Sequence, residues 1–123
     1  MGGRGTRLRP HTLTTPKPLI EIAGKSIIQR IVDLIKKSQS RITNVGFIIE
    51  KPDLVIEEML KKIGSENNIG TSIFFQTKPE GTAHAIYCAK KMLKGPIMVV
   101  FADTLFETEL KFPNEADGCI FVK

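Results

Sequence analysis

Residues 45–76 read VGFIIEKPDLVIEEMLKKIGSENNIGTSIFFQ, and this stretch decides the fold. Its first part, Val45–Ile49, is an unbroken apolar run of the kind found in strands that are buried on both faces. Asp53 is a residue type that caps helices. The apolar residues that follow it at helical spacing are Ile56, Leu60 and Ile63. A second strand-like run, Ser72–Gln76, completes a strand–helix–strand pattern that predicts parallel strands.

The alternation of helices and strands continues on both sides of this stretch. Ser26 and Gln29 have the S-x-x-Q spacing of a capping box and open a helix with a broad apolar face. A third helix is predicted over residues 82–93. The apolar run Pro96–Asp103 is predicted as the clearest strand of the chain, and Gly118–Val122 as a further strand.

These elements predict an α/β fold with a mainly parallel sheet, in a single domain over residues 1–123. No internal repeat, low-complexity segment or linker interrupts it. In open parallel sheets ligands bind beyond the carboxyl ends of the strands. Because Gln76 and Asp103 leave predicted strands at such ends, they are the first candidates for a site.

The composition excludes several classes of protein. No apolar run approaches the ~18 residues of a membrane span, and the first residues lack the apolar core of a signal peptide. Cys88 and Cys119 are far apart and have no metal-site spacing, so we expect reduced thiols in a cytoplasmic protein. The net charge is +5, but much of it comes from lysine pairs late in predicted helices, where solvent and the helix dipole account for it. Without aromatic residues among those lysines, nucleic-acid stacking has little support.

The first loop, Gly2–Leu8, combines backbone freedom with positive charge. Glycines let several main-chain N–H groups approach an anion, and Arg7 offers a planar fork of donors to phosphate oxygens. Thr6 adds a hydroxyl, and Lys17 lies between two prolines that restrict the backbone around its ammonium group. Composition alone leaves two readings open, a phosphate-binding loop and a flexible basic tail.

Two common phosphate motifs do not fit this sequence. Gly24-Lys25-Ser26 resembles the end of a Walker A loop, but that motif needs a glycine at position 19, where the chain has Leu19. The dinucleotide fingerprint G-x-G-x-x-G fails as well, because Gly3 and Gly5 are followed by Leu8 in place of the third glycine. Ser26 is therefore interpreted only as a helix cap.

Taken together, the motifs resemble those of the sugar-1-phosphate nucleotidylyltransferases. That family opens with a strand, G-G-x-G-T-R-L-x-P-x-T and a Pro-Lys-Pro or similar. The corresponding residues here are Gly2-Gly3-Arg4-Gly5-Thr6-Arg7-Leu8-Arg9-Pro10-His11-Thr12 and Pro16-Lys17-Pro18-Leu19. Gln76 followed by Gly81-Thr82-Ala83-His84-Ala85 resembles the family's base-recognition segment, and Phe101-Ala102-Asp103-Thr104 its metal-binding strand end. The resemblance covers essentially the whole chain and implies a Rossmann-like sheet with helices on both faces.

The resemblance implies a role for each matching residue. The residues expected to wrap the triphosphate are Gly3, Gly5, Thr6 and Arg7. Lys17 would neutralise phosphate charge and act with Arg7 in catalysis. Gln76 and Gly81 would contact the base, which suggests uracil or thymine, and Asp103 would hold Mg²⁺. The implied reaction joins a nucleoside triphosphate to a sugar-1-phosphate and releases pyrophosphate; neither nucleic acid nor a membrane is an expected partner. His84 and Cys88 are expected to be ordinary helix residues.

The sequence departs from the family pattern at both ends. Only Met1 precedes Gly2, so the family's first, central strand is missing, as is the later part with sugar-binding residues and a second metal-binding Asp. In the family this strand lies between those matching Val45–Ile49 and Ile97–Asp103. We therefore expect residues 1–123 alone to make no nucleotide-sugar, and their unpaired strand edges to favour association, for example as a homo-oligomer. The alternative interpretation is a non-catalytic nucleotide-binding or regulatory module.

Overall fold

The computed structural model describes residues 17–39, 41–103 and 118. The described part opens with a 3₁₀ turn, Lys17–Leu19, and a short hairpin of β1 (Glu21–Ile22) and β2 (Lys25–Ser26). The elements that follow are α1 (Ile27–Ser38), β3 (Asn44–Ile49), α2 (Leu54–Glu66), β4 (Gly70–Phe75), α3 (Thr82–Cys88) and a second 3₁₀ turn, Lys90–Met92.

The strand–helix–strand unit is confirmed. β3 and β4 pair in parallel, from Asn44 opposite Gly70 to Ile49 opposite Phe75, and α2 connects them. A parallel pair requires such a crossover, because the chain must return to the starting edge before the second strand begins. The unit aligns the carboxyl ends of both strands at one edge of the sheet.

The core lies between one face of this strand pair and the two long helices. Phe47 and Ile49 of β3 are buried there in one cluster with Ile28 and Val32 of α1. The residues that α2 and the following turn add are Leu60, Ile63 and Ile69, of which Leu60 has no exposed surface. Burial of a large aliphatic side chain is worth about 1.5–3 kcal/mol, so this cluster is the main source of stability in the described part.

Both predicted helix caps are confirmed. The Ser26 hydroxyl accepts a hydrogen bond from the backbone N–H of Gln29 at 3.2 Å, and Gly24 lies in the hairpin turn that precedes it. Asp53 Oδ1 accepts from the N–H groups of Val55 and Ile56 at 3.0 and 3.1 Å. Each cap satisfies donors that the first turn of a helix leaves without a partner.

A second helical layer lies on the opposite face of the strands. α3 contacts β3, and a Cβ atom built on Gly46 would lie 2.7 Å from the sulfur of Met92, in the 3₁₀ turn after α3. Gly46 alternates along β3 with the core residue Phe47, so Met92 covers the face that α1 and α2 leave open. The predicted α/β arrangement, with helices on both faces of a parallel sheet, is therefore correct for the described residues.

The third helix is shorter than predicted. It ends at Cys88, because the following backbone N–H groups bond three residues back, as Ala89 does to Ile86 O at 3.0 Å and Met92 to Ala89 O at 2.8 Å. This tighter hydrogen bonding converts residues 90–92 into a 3₁₀ turn.

The prediction of a strand at Pro96–Asp103 is wrong. Residues 96–103 form no ladder, and within the described residues β3 pairs only with β4. Ile97, Val99 and Phe101 are 53%, 48% and 55% exposed, and they alternate with half-buried neighbours. The segment thus has the side-chain alternation of a strand, but a strand also needs a hydrogen-bonded partner, which local apolarity cannot provide.

The other predicted strand, Gly118–Val122, lies outside the described residues except for Gly118, which is exposed.

Candidate functional site

The candidate site is at the carboxyl ends of β3 and β4. Gln76, the first residue after β4, donates its backbone N–H to Ile49 O, at the end of β3, over 2.8 Å. Since Ile49 belongs to the buried core, this bond fixes the main chain of Gln76 relative to the scaffold. A side chain that starts from such a point is well suited to ligand recognition.

The side chain of Gln76 turns toward the start of α3. Its Nε2 atom lies 2.9 Å from the carbonyl oxygen of Gly81 and 3.2 Å from Nδ1 of His84. Gly81 has φ +93°, a region that residues with a Cβ rarely adopt, and its carbonyl also accepts the first helical bond, from Ala85 N at 3.2 Å. The loop from Gln76 to Gly81 therefore closes through the Gln76 side chain.

The contact with Gly81 determines which end of the amide faces outward. A backbone carbonyl only accepts hydrogen bonds, so the NH₂ group of Gln76, and not its Oε1, must face Gly81. The second amide hydrogen is then available for Nδ1 of His84. The side chain can consequently offer its carbonyl oxygen, an acceptor, to a ligand.

His84 makes a contact with the Gln76 amide that the sequence did not predict. It lies three residues after Gly81, in the first turn of α3, where it meets the Gln76 amide. Its Nε2 atom is 3.6 Å from Glu80 Oε2 and 3.9 Å from the sulfur of Cys88. The position of a histidine within one helical turn of a glycine predicted to bind the base was the signal that could have identified it.

Lys17 lies at the start of the first 3₁₀ turn. It is exposed, while Pro18 and Leu19 directly after it are buried, and Leu19 is a member of the core with 1% exposure. The carbonyl of Lys17 also accepts from Ile20 N at 3.2 Å. The backbone of this lysine is therefore anchored although its ammonium group reaches solvent.

The other residues predicted to bind phosphate lie outside the described residues; they are Gly3, Gly5, Thr6 and Arg7.

Asp103 follows the segment that was predicted as a strand. Its side chain is exposed, and the preceding Ala102 packs against the same core cluster to which Leu19 and Ile49 belong. In the described ranges no group of three or more His, Cys, Asp or Glu side chains is close enough to hold a metal ion. The structure thus brings Gln76 and Gly81 together through a hydrogen bond, and it places Lys17 and Asp103 next to members of one core.

None of the helices in the described ranges is long and apolar enough to cross a membrane.

Comparison with known proteins supports the family resemblance of the sequence. The family model described as nucleotidyl transferase matches residues 1–114. The chain is 36% identical over 110 residues to the bifunctional protein GlmU of Methanococcus maripaludis, covering 88% of this chain and 24% of that protein. It is 39% identical over 114 residues to GlmU of Methanococcus vannielii, covering 91% and 25%.

A second group of relatives carries a different name. The chain is 32% identical over 114 residues to the mannose-1-phosphate guanyltransferase of Saccharomyces cerevisiae, covering 90% of this chain and 31% of the yeast protein. The chain therefore spans about a quarter to a third of the length of these relatives. The match over residues 1–114, together with the parallel α/β unit, shows that the chain belongs to the nucleotidyl transferase family.

Proposed function

We propose that this chain is the nucleotide-binding part of an enzyme that transfers a nucleotidyl group from a nucleoside triphosphate to a sugar-1-phosphate. Family membership supports the reaction class, and one relative is named for a sugar-1-phosphate substrate. The observation that carries the proposal is the hydrogen bond between Gln76 and Gly81, because it joins the two residues that sequence reasoning assigned to the base.

In the proposed reaction a phosphate oxygen of the sugar-1-phosphate attacks the α-phosphorus of the triphosphate. The new P–O bond forms as the bond to the β-phosphate oxygen breaks, and pyrophosphate leaves with its electron pair. Arg7, Thr6 and the glycine N–H groups hold the triphosphate, and Lys17 neutralises charge on it. Such chemistry depends on positioning and charge neutralisation rather than on a protein nucleophile.

Mg²⁺ is part of the proposal, with Asp103 as its protein ligand. The donor set fits, since Mg²⁺ commonly takes one or two carboxylates together with substrate phosphates and waters, and a single exposed carboxylate is sufficient. When bound, the ion would neutralise phosphate charge. Asp103→Asn should raise the Mg²⁺ concentration required for half-maximal triphosphate binding, which a titration at fixed nucleotide measures.

The base we propose is uracil or thymine. Gln76 can present its carbonyl oxygen, and this acceptor matches the ring N–H of uracil and thymine but not the unprotonated ring nitrogen of cytosine or adenine. Guanine also carries a ring N–H, and the yeast relative is named as a guanyltransferase. GTP is therefore the competitor that a test of the base must include.

The base assignment is tested by calorimetric titration of the 123-residue chain with UTP, dTTP, GTP, CTP and ATP in the presence of Mg²⁺. We expect UTP and dTTP to bind most tightly. Gln76→Ala removes one neutral hydrogen bond and should weaken UTP by about 2- to 10-fold while leaving CTP almost unchanged. Equal affinities for UTP and CTP in the wild type would contradict the role of Gln76.

The reaction is tested in a chimera in which this chain replaces the matching segment of the yeast relative. Pyrophosphate release is measured with mannose-1-phosphate and either UTP or GTP. If the chain selects the base, the chimera should prefer UTP, whereas the yeast parent acts as a guanyltransferase according to its name. A folded chimera that binds UTP without releasing pyrophosphate would favour a non-catalytic nucleotide-binding module.

A further inference from the structure

We propose that His84 is a positioning residue that holds the amide of Gln76 in its base-reading orientation, and that protonation of His84 releases this amide. The inference rests on the proposed function for the identity of the ligand. Its geometric basis is independent: Nε2 of Gln76 lies between two acceptors, Gly81 O at 2.9 Å and His84 Nδ1 at 3.2 Å.

The tautomer of His84 follows from its neighbour. Because the Gln76 NH₂ group is a donor, Nδ1 of a neutral His84 must carry the lone pair, and the ring proton must be on Nε2. That proton then faces Glu80 Oε2 at 3.6 Å, with the Cys88 sulfur at 3.9 Å. Both neighbours can accept it, so the environment on each side of the ring favours the same tautomer.

His84 and Gly81 have separate effects on the amide. A single hydrogen bond to Gly81 lets the amide plane turn about that bond, whereas a second bond to His84 fixes the plane and hence the direction of Oε1. The histidine is needed for orientation although it is not required to touch the base. Its loss should therefore reduce discrimination between bases more than it reduces affinity for the triphosphate.

Protonation of His84 places two donors against each other. An N–H at Nδ1 would face the Gln76 NH₂ group, so the amide must either leave His84 or turn its oxygen inward and lose Gly81. Among the residues that the structure describes, the titratable groups that face the ring are Glu80, from the loop before α3, and Cys88, from α3. Residues 44–49 and 70–75, which form the adjacent strands, include no titratable side chain.

The tautomer can be measured without any nucleotide. Long-range ¹H–¹⁵N spectra of the histidine-labelled chain distinguish a proton on Nδ1 from one on Nε2, and the only other histidine in the sequence is His11. With a neutral imidazole we expect the proton of His84 on Nε2, and the Gln76 side-chain amide signals should move when the spectra show that the ring has become protonated. A proton on Nδ1, or Gln76 signals that ignore the titration, would overturn the pairing.

Two variants separate orientation from simple packing. His84→Asn keeps an acceptor close to the position of Nδ1 but cannot be protonated, and His84→Leu keeps bulk without an acceptor. The readout is the ratio of UTP affinity to CTP affinity, compared between the neutral and the protonated state of His84 as the nitrogen spectra report them. Effects on the triphosphate, which both nucleotides share, cancel in this ratio. Tyr87→Phe, which alters an exposed residue of the same helix, is the matched control.

The wild-type ratio should fall by about 2- to 10-fold when the spectra show His84 protonated, which corresponds to the loss of one hydrogen bond. His84→Asn should keep the high ratio at every pH, and His84→Leu should show the low ratio throughout. A wild-type pH profile in His84→Leu would overturn the proposal. If the wild type binds no nucleotide, the proposed function and the base-reading role fail together, while the spectra still decide whether His84 and Gln76 are paired.

Discussion

The two faces of the strand pair are built in different ways. Under α1 and α2 the contacts are apolar and buried, with Leu60 fully enclosed and Phe47 4% exposed. On the other side α3 has no buried residue, and its first turn is joined to β4 through the polar contacts of Gln76. Stability therefore depends mainly on the apolar side, whereas the proposed ligand recognition involves the polar side, so substitutions should affect one without the other.

The largest effect should come from the apolar side. Leu60→Ala removes a fully buried side chain and should lower the free energy of unfolding by about 2–5 kcal/mol, measured by urea denaturation. Val55→Ala is the matched control, because Val55 is on the same helix but 68% exposed, and it should change stability little. Equal losses in the two variants would show that α2 does not pack as described.

In the predicted phosphate-binding loop, a substitution is expected to change ligand affinity and leave stability unchanged. If Arg7 binds phosphate as proposed, Arg7→Ala would remove a charge-assisted hydrogen bond and should weaken triphosphate binding by about 10- to 150-fold, with an unchanged melting temperature. Calorimetric titration measures the affinity and a thermal melt provides the control. Because Arg9→Ala alters an arginine outside the predicted set, it should have a smaller effect, and equal effects would remove Arg7 from the site.

A smaller effect should follow from the close approach of α2 to β4 at Gly64. A Cβ atom there would collide with Thr71 Oγ1 and lie 3.0 Å from the carbonyl oxygen of Ile69. Overpacking of about 1–3 kcal/mol should outweigh the gain in helix propensity of about 1 kcal/mol, so Gly64→Ala should destabilise the fold by roughly 1 kcal/mol.

Thr71 offers an internal control for this contact. Its hydroxyl is buried and, in the described residues, has no hydrogen-bond partner, so Thr71→Ala removes both the obstacle and a poorly satisfied group. In that background Gly64→Ala should cost less than it does in the wild type. Identical costs in the two backgrounds would show that the collision with Thr71 does not limit the packing.

The sequence predicted those features whose causes are local. The caps at Ser26 and Asp53 depend on residues within one helical turn, and the strand at Val45–Ile49 is a dense apolar run, so both were recognisable from short windows. Residues 96–103 have an equally apolar pattern, yet a strand also depends on a partner that no local window contains. The hairpin of β1 and β2 was not predicted, because Ala23 adopts φ +52°, which alanine rarely does.

In the candidate site, as in the fold, the sequence suggested residues from a local motif but not the contacts that arise when the chain folds. Gln76 and Gly81 were predicted from their motif to contact the base, which stays a prediction, and the structure joins the two residues by a hydrogen bond. His84 was assigned to the third helix without a role, since its contact with Gln76 arises only when the loop folds back. A motif resemblance can thus propose site residues, whereas the contacts between those residues and their neighbours depend on tertiary geometry.

The smallest expected effect concerns a polar connection at the edge of the apolar side. Asp33 of α1 accepts hydrogen bonds from Lys25 of β2 and from Asn67, at the end of α2. Partial burial acts to raise the pKa of the Asp33 carboxyl, but the hydrogen bonds from Lys25 and Asn67 and the charges of Lys25 and Arg30 outweigh it and hold this pKa below its ordinary value of 3.8. The folded state therefore favours the ionised form.

Because the pKa of Asp33 is lower in the folded than in the unfolded state, the ionised carboxylate stabilises the fold at pH values above the pKa of the unfolded state. This stabilisation is lost as the pH falls through the pKa of the folded state. Asp33→Asn should thus lower the free energy of unfolding by up to about 1 kcal/mol at neutral pH, because the partners remain partly exposed to solvent. The difference between variant and wild type should shrink as the pH falls below 3.8. Urea denaturation at neutral pH and at a pH below 3.8 measures this difference in the free energy of unfolding. Glu58→Gln, at an exposed position of α2, is the control. A difference that stays constant with pH would mean that the loss comes from altered hydrogen-bond geometry and not from the charge of Asp33.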